Sequence, residues 1–412
     1  MKKYFLIAVA ACLCLAMAAP ALAEVKVSGL LSTDIYWFSK SAEYNQGGVA
    51  VGTPVTYSDT TVFEINVYRP QNYVQAVYTN KDNAVGGRFR ISVGHNETGV
   101  NDANTVQEID CQTSHLWWKF YPGAKVSIGS IPQIIGGAGA YLPHLGSNRS
   151  ESGDVIVSIG YGNIHTSARN GLMIEWEFNK MVGLDVGLYD PANYNTGAST
   201  RGSTIGSSNV ALATAPVEIK VPRIDIAVPI KWAGFKFNPK GSWITKKYEQ
   251  VAVNTETSYD IWAAGIDITY SYGPFSAAFD FVTGKNLADA NYSGGVGQAI
   301  PYTTSGITKI ADADDDHWFL SARYAFTKKL RIKASYGQAK SENEVDPSIT
   351  TDNVETTRTA YGIGLDWFLA PNLICIPQVM WFDRGDDNLN GTGVKIDNGE
   401  SAVYGLQFQL LF

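Results

Sequence analysis

The 412-residue chain carries 39 acidic and 32 basic side chains, a formal charge of −7. That balance argues against a nucleic-acid partner, which selects basic faces, and no stretch beyond the N-terminal segment approaches the roughly 18 apolar residues of a membrane-spanning helix. Forty glycines, 22 tyrosines and ten tryptophans beside five methionines favour an all-β chain.

Lys2 and Lys3 precede an apolar run from Tyr4 to Ala19, and Ala21-Leu22-Ala23 supplies a small-x-small cleavage site, the pattern of a secretory signal peptide. The expected division is a signal over residues 1–23 and one domain over 24–412. Loss of Lys2 and Lys3 takes the formal charge from −7 to −9. A lipoprotein reading through Val9-Ala10-Ala11-Cys12 stays open, but it would cut the apolar region short. Cys12 and Cys14 leave with the signal, so Cys111 and Cys375 remain.

The first predicted strand runs from Val25 to Phe38, with Val25, Val27, Leu31, Ile35 and Trp37 on one face and Lys26, Ser28, Ser32 and Asp34 on the other. Seven alternating pairs follow. They reverse near Lys81-Asp82-Asn83, Pro122-Gly123-Ala124, Asn179-Lys180, Ala233-Gly234, Gly273-Pro274, Thr327-Lys328-Lys329 and Ala370-Pro371-Asn372, all turn-type sequences. A final strand from Ser401 to Phe412 completes sixteen. The other connections are long and polar, at about 39–60, 95–112, 132–166, 190–218, 247–257, 285–314, 341–356 and 385–399. An even strand number with alternating short and long connections fits a closed antiparallel barrel of the outer-membrane type.

The apolar faces decide what such a sheet meets. Leu116, Trp118 and Phe120; Leu172, Ile174, Trp176 and Phe178; Ile224, Ile226, Val228 and Ile230; Trp262, Ile266, Ile268 and Tyr270; Trp318, Leu320, Tyr324 and Phe326; and Tyr361, Ile363, Leu365 and Trp367 include no charged residue. A soluble sandwich would alternate too. It has no reason to gather Trp118, Trp176, Trp232, Phe235, Phe275, Phe326 and Trp367 beside the short turns, where an interfacial girdle belongs. Two strands fit poorly: Thr61–Tyr78 changes parity near Arg69-Pro70, which suggests a bulge, and Leu373–Phe382 is apolar on both faces.

The opposite faces carry Arg88, Arg90, Lys119, Arg169, Arg223, Lys236, Lys240, Arg323, Arg331, Lys333 and Arg358, with Asp34, Glu175, Glu177, Asp185, Asp225, Asp267, Asp280 and Asp366. Charges of both signs on inward positions imply a wet lumen, and sixteen strands leave room for one. Passive diffusion of small hydrophilic solutes, with fixed charges biasing ions, is the function this expects.

With signal, sixteen strands, seven tight turns, eight long loops and a terminal Phe412 on "YGLQFQLLF", the chain resembles the trimeric general porins of Gram-negative outer membranes. The resemblance implies an outer-membrane location, a homotrimer, and contact with the lipid bilayer and lipopolysaccharide. It also implies an assembly signal read by the barrel-insertion machinery, here Tyr404, Phe408, Leu410 and Phe412. It further implies a third loop, Pro132 to about Thr166, folded inward to constrict the pore. A basic wall cluster would face loop acids there. The matching positions are Arg88, Arg90, Lys119 and Arg169 on the wall, with Glu151 and Asp154 on the loop. A substrate-specific channel for a sugar or an oxyanion is the alternative.

Weaker signals point elsewhere. Asp386, Asn388, Asn390 and Asp397 take calcium-loop spacing around Gly391 and suggest calcium held by an extracellular loop, or simply a solvated acidic loop. No cofactor is required by any motif. His144 near Ser147 and Ser150 is the best case for a barrel-embedded hydrolase, and it lacks a nucleophile signature, so the chain reads as no enzyme. Cys111 before an outer strand end and Cys375 after a short turn lie too far apart for a disulfide.

Overall fold

The computed structural model describes residues 23–41, 60–66, 72–97, 105–136, 162, 168–190, 217–218, 221–250, 255–287, 300–304, 307–343, 354–383, 385–389, 394–397 and 400–412. The predicted signal segment lies outside them. Nineteen strand segments form one antiparallel sheet. In chain order these begin β1 (Ala23–Ser41), β2 (Thr60–Asn66), β3 (Tyr73–Asn80), β4 (Val85–Glu97), β5 (Thr105–Tyr121), β6 (Ala124–Ile131), β7 (Arg169–Glu177) and β8 (Gly183–Tyr189). Next come β9 (Val217–Glu218), β10 (Arg223–Ala227), β11 (Ile230–Trp232), β12 (Phe235–Gln250), β13 (Thr255–Tyr272) and β14 (Phe275–Lys285). A separate hairpin of β15 (Ile300–Thr304) and β16 (Ile307–Ala311) precedes β17 (Ala313–Ala325), β18 (Leu330–Asn343), β19 (Val354–Ala370) and β20 (Leu373–Asp383). A second hairpin, β21 (Asp386–Leu389) with β22 (Val394–Asp397), precedes β23 (Glu400–Leu411).

Taking β2 with β3 as one interrupted stave, and β9 to β11 as another, leaves sixteen staves. The last pairs with the first, from Leu30 opposite Leu411 to Ser41 opposite Glu400, so the sheet closes. The predicted fold class, an all-β closed sixteen-stranded barrel, is the fold observed.

Arg69 and Pro70, where the parity change is expected, lie outside the described residues, but β1 changes partner across them. Asp34 faces Asn66 and Leu30 faces Tyr73, so three residues of β1 answer six between β2 and β3. The Ser32 N–H donates to Asn72 Oδ1 at 2.5 Å in place of a ladder bond. In the eighth stave Pro229 breaks the ladder, yet its carbonyl accepts from Gly183 N at 2.9 Å, so the wall stays hydrogen-bonded there. Short turns carry their own chemistry: Asn80 Oδ1 accepts from Ala84 N at 2.7 Å, and Asn179 Oδ1 from Met181 N at 2.7 Å. Ala233 and Gly234 both take positive φ, 47° and 84°, as a two-residue hairpin reversal favours.

Burial is inverted relative to a water-soluble protein. On the outer face Leu116 is 65% exposed and Ile128 58%, while inward Asp225 is fully buried. A sandwich would do the reverse, so the outward face is built for lipid. Aromatic pairs stand beside the short turns, Trp118–Phe120, Trp176–Phe178 and Tyr324–Phe326, as expected. A second aromatic row lies away from the short turns. Trp318, Tyr336, Tyr361 and Trp381 stack side by side across β17 to β20 with centroids 4.9, 6.5 and 5.1 Å apart, and Trp37 stacks on Tyr404 at 5.8 Å. On β19 it stands about 20 Å along the strand from Trp367, at 3.4 Å per residue. The outer face is therefore an apolar band between two aromatic rims. The stack also settles β20: Trp381 faces outward, and Ile376, Met380 and Phe382 are buried inside.

Closure is tight at the seam. Gly29 N donates to Phe412 O at 2.8 Å and Phe412 N to Gly29 O at 3.1 Å. A Cβ on Gly29 would fall within 3 Å of the Phe412 ring and 2.7 Å from the Tyr73 carbonyl oxygen. Gly29→Val is expected to block closure, and Phe412→Ser, which keeps the backbone bonds but loses the ring, to impair it less. The fraction of protein shifting between unboiled and boiled mobility on a gel after refolding into detergent measures both, and native-like yields for both variants would contradict this account.

Candidate pore and its inner anchor

The third long connection begins inside the barrel. Ile131 ends β6 facing inward and fully buried, and Pro132, with no N–H to donate, cannot extend the ladder. The chain then turns along the inner wall. Tyr189 Oη on β8 donates to the Pro132 carbonyl at 2.9 Å, Arg223 Nη2 on β10 donates to Gln133 Oε1, and Lys240 Nζ on β12 donates to the Gly136 carbonyl at 2.9 Å.

Each anchor is itself held. Arg223 forks onto Asp225, Nε to Oδ1 at 2.9 Å and Nη2 to Oδ2 at 3.0 Å, and its guanidinium lies 4.9 Å from the Tyr189 ring centroid. Ser242 Oγ donates to the same carboxylate at 2.6 Å. Lys240 pairs with Asp267, which also accepts from Asn238 Nδ2 at 3.3 Å. Arg223 is 2% exposed, so these charges are buried wall fittings. Between them Ile135 enters a buried cluster with Ile244, Tyr259, Ile261, Ala263, Val282 and Leu287, apolar side chains on inward positions of β12, β13 and β14 and just beyond β14. Leu287 is fixed by its N–H donating to Asp315 Oδ2 at 3.1 Å.

Gly162, on the returning limb, is buried with φ of +95°. A Cβ there would collide with the backbone of Trp318 and Gln338, a cross-strand pair of β17 and β18. The third connection thus touches the wall again, three staves beyond Lys240.

Of the predicted wall cluster, Arg88 and Arg90 lie on the inward face of β4, and Arg90 covers the Tyr73 ring at 3.4 Å. The ladder from Arg90 to Thr113, one step to the Ser114–Ser130 pair and on to Ile131 and Arg169 places Arg90 and Arg169 on one hydrogen-bonded row, three staves apart. Lys119 does not join them. It stands two residues before Tyr121 with its N–H on the Ala84 carbonyl at 2.7 Å, at the short-turn end. Glu151 and Asp154 lie outside the described residues. Tyr404, Phe408 and Leu410 share the outward face of β23, with Phe412 just past its end.

The described residues of the calcium-like spacing fall in the hairpin of β21 and β22. Asp386 and Asp397 are direct cross-strand partners in a hairpin, as are Asn388 and Lys395. Asn390 lies outside the described residues. Both Cys111, at the outer part of β5, and Cys375, just past a short turn, are free thiols.

Residues 231–375 match the family model described as Gram-negative porin. No curated protein matches the chain. Among solved structures the fold resembles the outer membrane channel DcaP of Acinetobacter baumannii, at 13% identity over 96% of this chain and 99% of that one with a TM-score of 0.64. It also resembles OmpF of Salmonella typhi, solved with daunomycin, at 12% identity, 94% and 97% coverage and a TM-score of 0.53. OmpT of Vibrio cholerae in a trimer form gives 11%, 95%, 99% and 0.52. These likenesses establish the sixteen-stranded porin barrel as the fold.

Removing one member of a buried ion pair costs roughly 3–5 kcal/mol. Arg223→Ala is therefore expected to lower the unfolding temperature in detergent and to make single-channel current larger and noisier as Gln133 loses its hold. Tyr189→Phe, losing one hydrogen bond of about 1 kcal/mol, should do less of both. An unchanged current trace for Arg223→Ala would show that this stretch does not shape the conducting path.

Proposed function

We propose that the protein is an outer-membrane channel through which small hydrophilic solutes and ions diffuse passively. One observation carries the reading: charge faces inward and apolar side chains face outward around a closed sheet of sixteen staves. Charged side chains on an inner wall are stable where water reaches them or where they pair, and the wall offers both, with Arg88 exposed while Lys240 and Asp267 are buried together. The porin match over residues 231–375 supports the same conclusion.

The chain reaches the outer membrane as an exported precursor, and Tyr404, Phe408, Leu410 and Phe412 present the outward aromatic strand that insertion machinery reads. The assembly is a trimer in lipid and lipopolysaccharide, by analogy with the trimer form of the Vibrio cholerae protein. Catalysis plays no part in this reading. The inward third loop sets the size limit, since its first residues already occupy the wall over β8 to β12.

Liposome swelling with sugars of graded size tests the proposal. Rates should fall smoothly with solute mass. A single favoured sugar against this trend would mark a substrate-specific channel instead, and no swelling with any solute would reject the channel altogether.

A further inference from the structure

The short-turn half of β5 carries a tryptophan on the side that no lipid girdle can use. Trp118 is exposed on the outer face, so Trp117 beside it faces the lumen, directly opposite Gly86 on β4. A Cβ on Gly86 would fall 2.1 Å from the Trp117 Cζ2 and 2.4 Å from its Cε2, so the indole reaches across to β4 and lies over the glycine. The His115 ring stands tilted beside it, with centroids 5.9 Å apart. Trp117 is half-buried, and its Nε1 hydrogen-bonds to none of the described residues. A buried indole N–H usually finds a protein partner, and this one is left to the lumen.

Two cations flank the ring. Arg88, directly opposite His115, stands two residues beyond Gly86 on the side away from the turn, and Lys119 stands two residues beyond Trp117 on the turn side. Both are exposed although they face inward, so lumen water reaches them. Among the described residues neither forms an ion pair, and neither covers the indole. On the staves to either side, Glu24 is bridged to Lys26 at 3.1 Å and Glu175 to Lys125, so neither carboxylate is committed to Arg88.

A flat indole offers a face for offset stacking of a second ring, and a guanidinium offers a carboxylate two parallel N–H donors. Arg88 and Trp117 are diagonal neighbours across β4 and β5, a relation that puts Cβ atoms roughly 7–8 Å apart. A solute that uses both must carry a ring and a carboxylate within that short reach. We propose that Trp117 and Arg88 form a binding step on the lumen wall for small aromatic carboxylates, with Lys119 as a second cation on the turn side. The inference rests on the channel reading and gives that channel a preferred solute class.

The test is the single-channel current of the full mature protein in planar bilayers with sodium benzoate, sodium acetate or benzyl alcohol added to potassium chloride. Benzoate should interrupt the current at a concentration at which acetate, which lacks the ring, and benzyl alcohol, which lacks the charge, do not. Trp117→Leu should raise the half-blocking benzoate concentration about two- to tenfold, the range that loss of one aromatic pair predicts. Arg88→Gln should raise it as well, and Arg88→Lys, which keeps the charge without the fork, should raise it less. Should Trp117→Leu fail to fold, Trp117→Phe, with its smaller ring, should give a smaller shift of the same sign. Interruption by benzoate no stronger than by acetate, or native benzoate sensitivity in the folded Trp117 and Arg88→Gln variants, overturns the site and leaves the channel standing. A folded protein that carries no current overturns both.

Discussion

Lipid offers no hydrogen bonds, so every backbone N–H and C=O of a spanning sheet must be paired within the sheet, and an open edge is untenable. In this protein the requirement is met by β1 and β23, paired from Leu30–Leu411 to Ser41–Glu400. Everything else follows from that closure. Once the ring is closed each stave has one face in lipid and one inside, and the twofold alternation of the sequence becomes a division between two solvents. The defects tolerated in the wall are those whose freed groups find partners, such as Ser32 with Asn72 and Gly183 with Pro229.

The inside is not uniform. Over β8 to β14 the wall is furnished with buried ion pairs and an apolar cluster that receive the incoming third connection. On β4 and at the short-turn end of β17 to β19 it carries cations near the water path. A buried pair such as Arg223–Asp225 contributes little net stability by itself, because desolvation offsets attraction. Its value is positional: the planar fork can sit in one way only, and Gln133 is aligned by it.

The barrel was legible because its signal is periodic and repeated. Alternation, turn residues and aromatics beside the turns are local features, and local features survive without knowing which strands meet. The functional interior was less legible because its contacts are not local. Arg223 and Asp225 could be seen to share a face, but that Lys240 meets Asp267 depends on the register of β12 against β13, and that both serve Pro132–Gly136 depends on a fold some hundred residues away. The resemblance groups Lys119 with Arg88 and Arg90 by strand position, and the sequence fixes the face of such a residue and not its height. Ile244, Ile261 and Val282 are inward and apolar, and alternation alone does not show that Ile135 of the third connection packs among them. The upper aromatic row is not legible in the sequence for the same reason: Trp318, Tyr336, Tyr361 and Trp381 line up only once four staves are in register.

The seam also fixes an order of events. The lower half of β1 can pair with β3 and its upper half with β2 soon after they appear, but its other edge waits for β23 at the far end of the chain. That contact has nearly the largest sequence separation the chain allows, and contacts of that kind form slowly. Until they do, β1 and the growing end of the sheet are exposed templates for pairing with other chains. The polypeptide therefore spends its most vulnerable interval with its first strand half-satisfied, and its solubility before closure is governed by how long that edge stays covered.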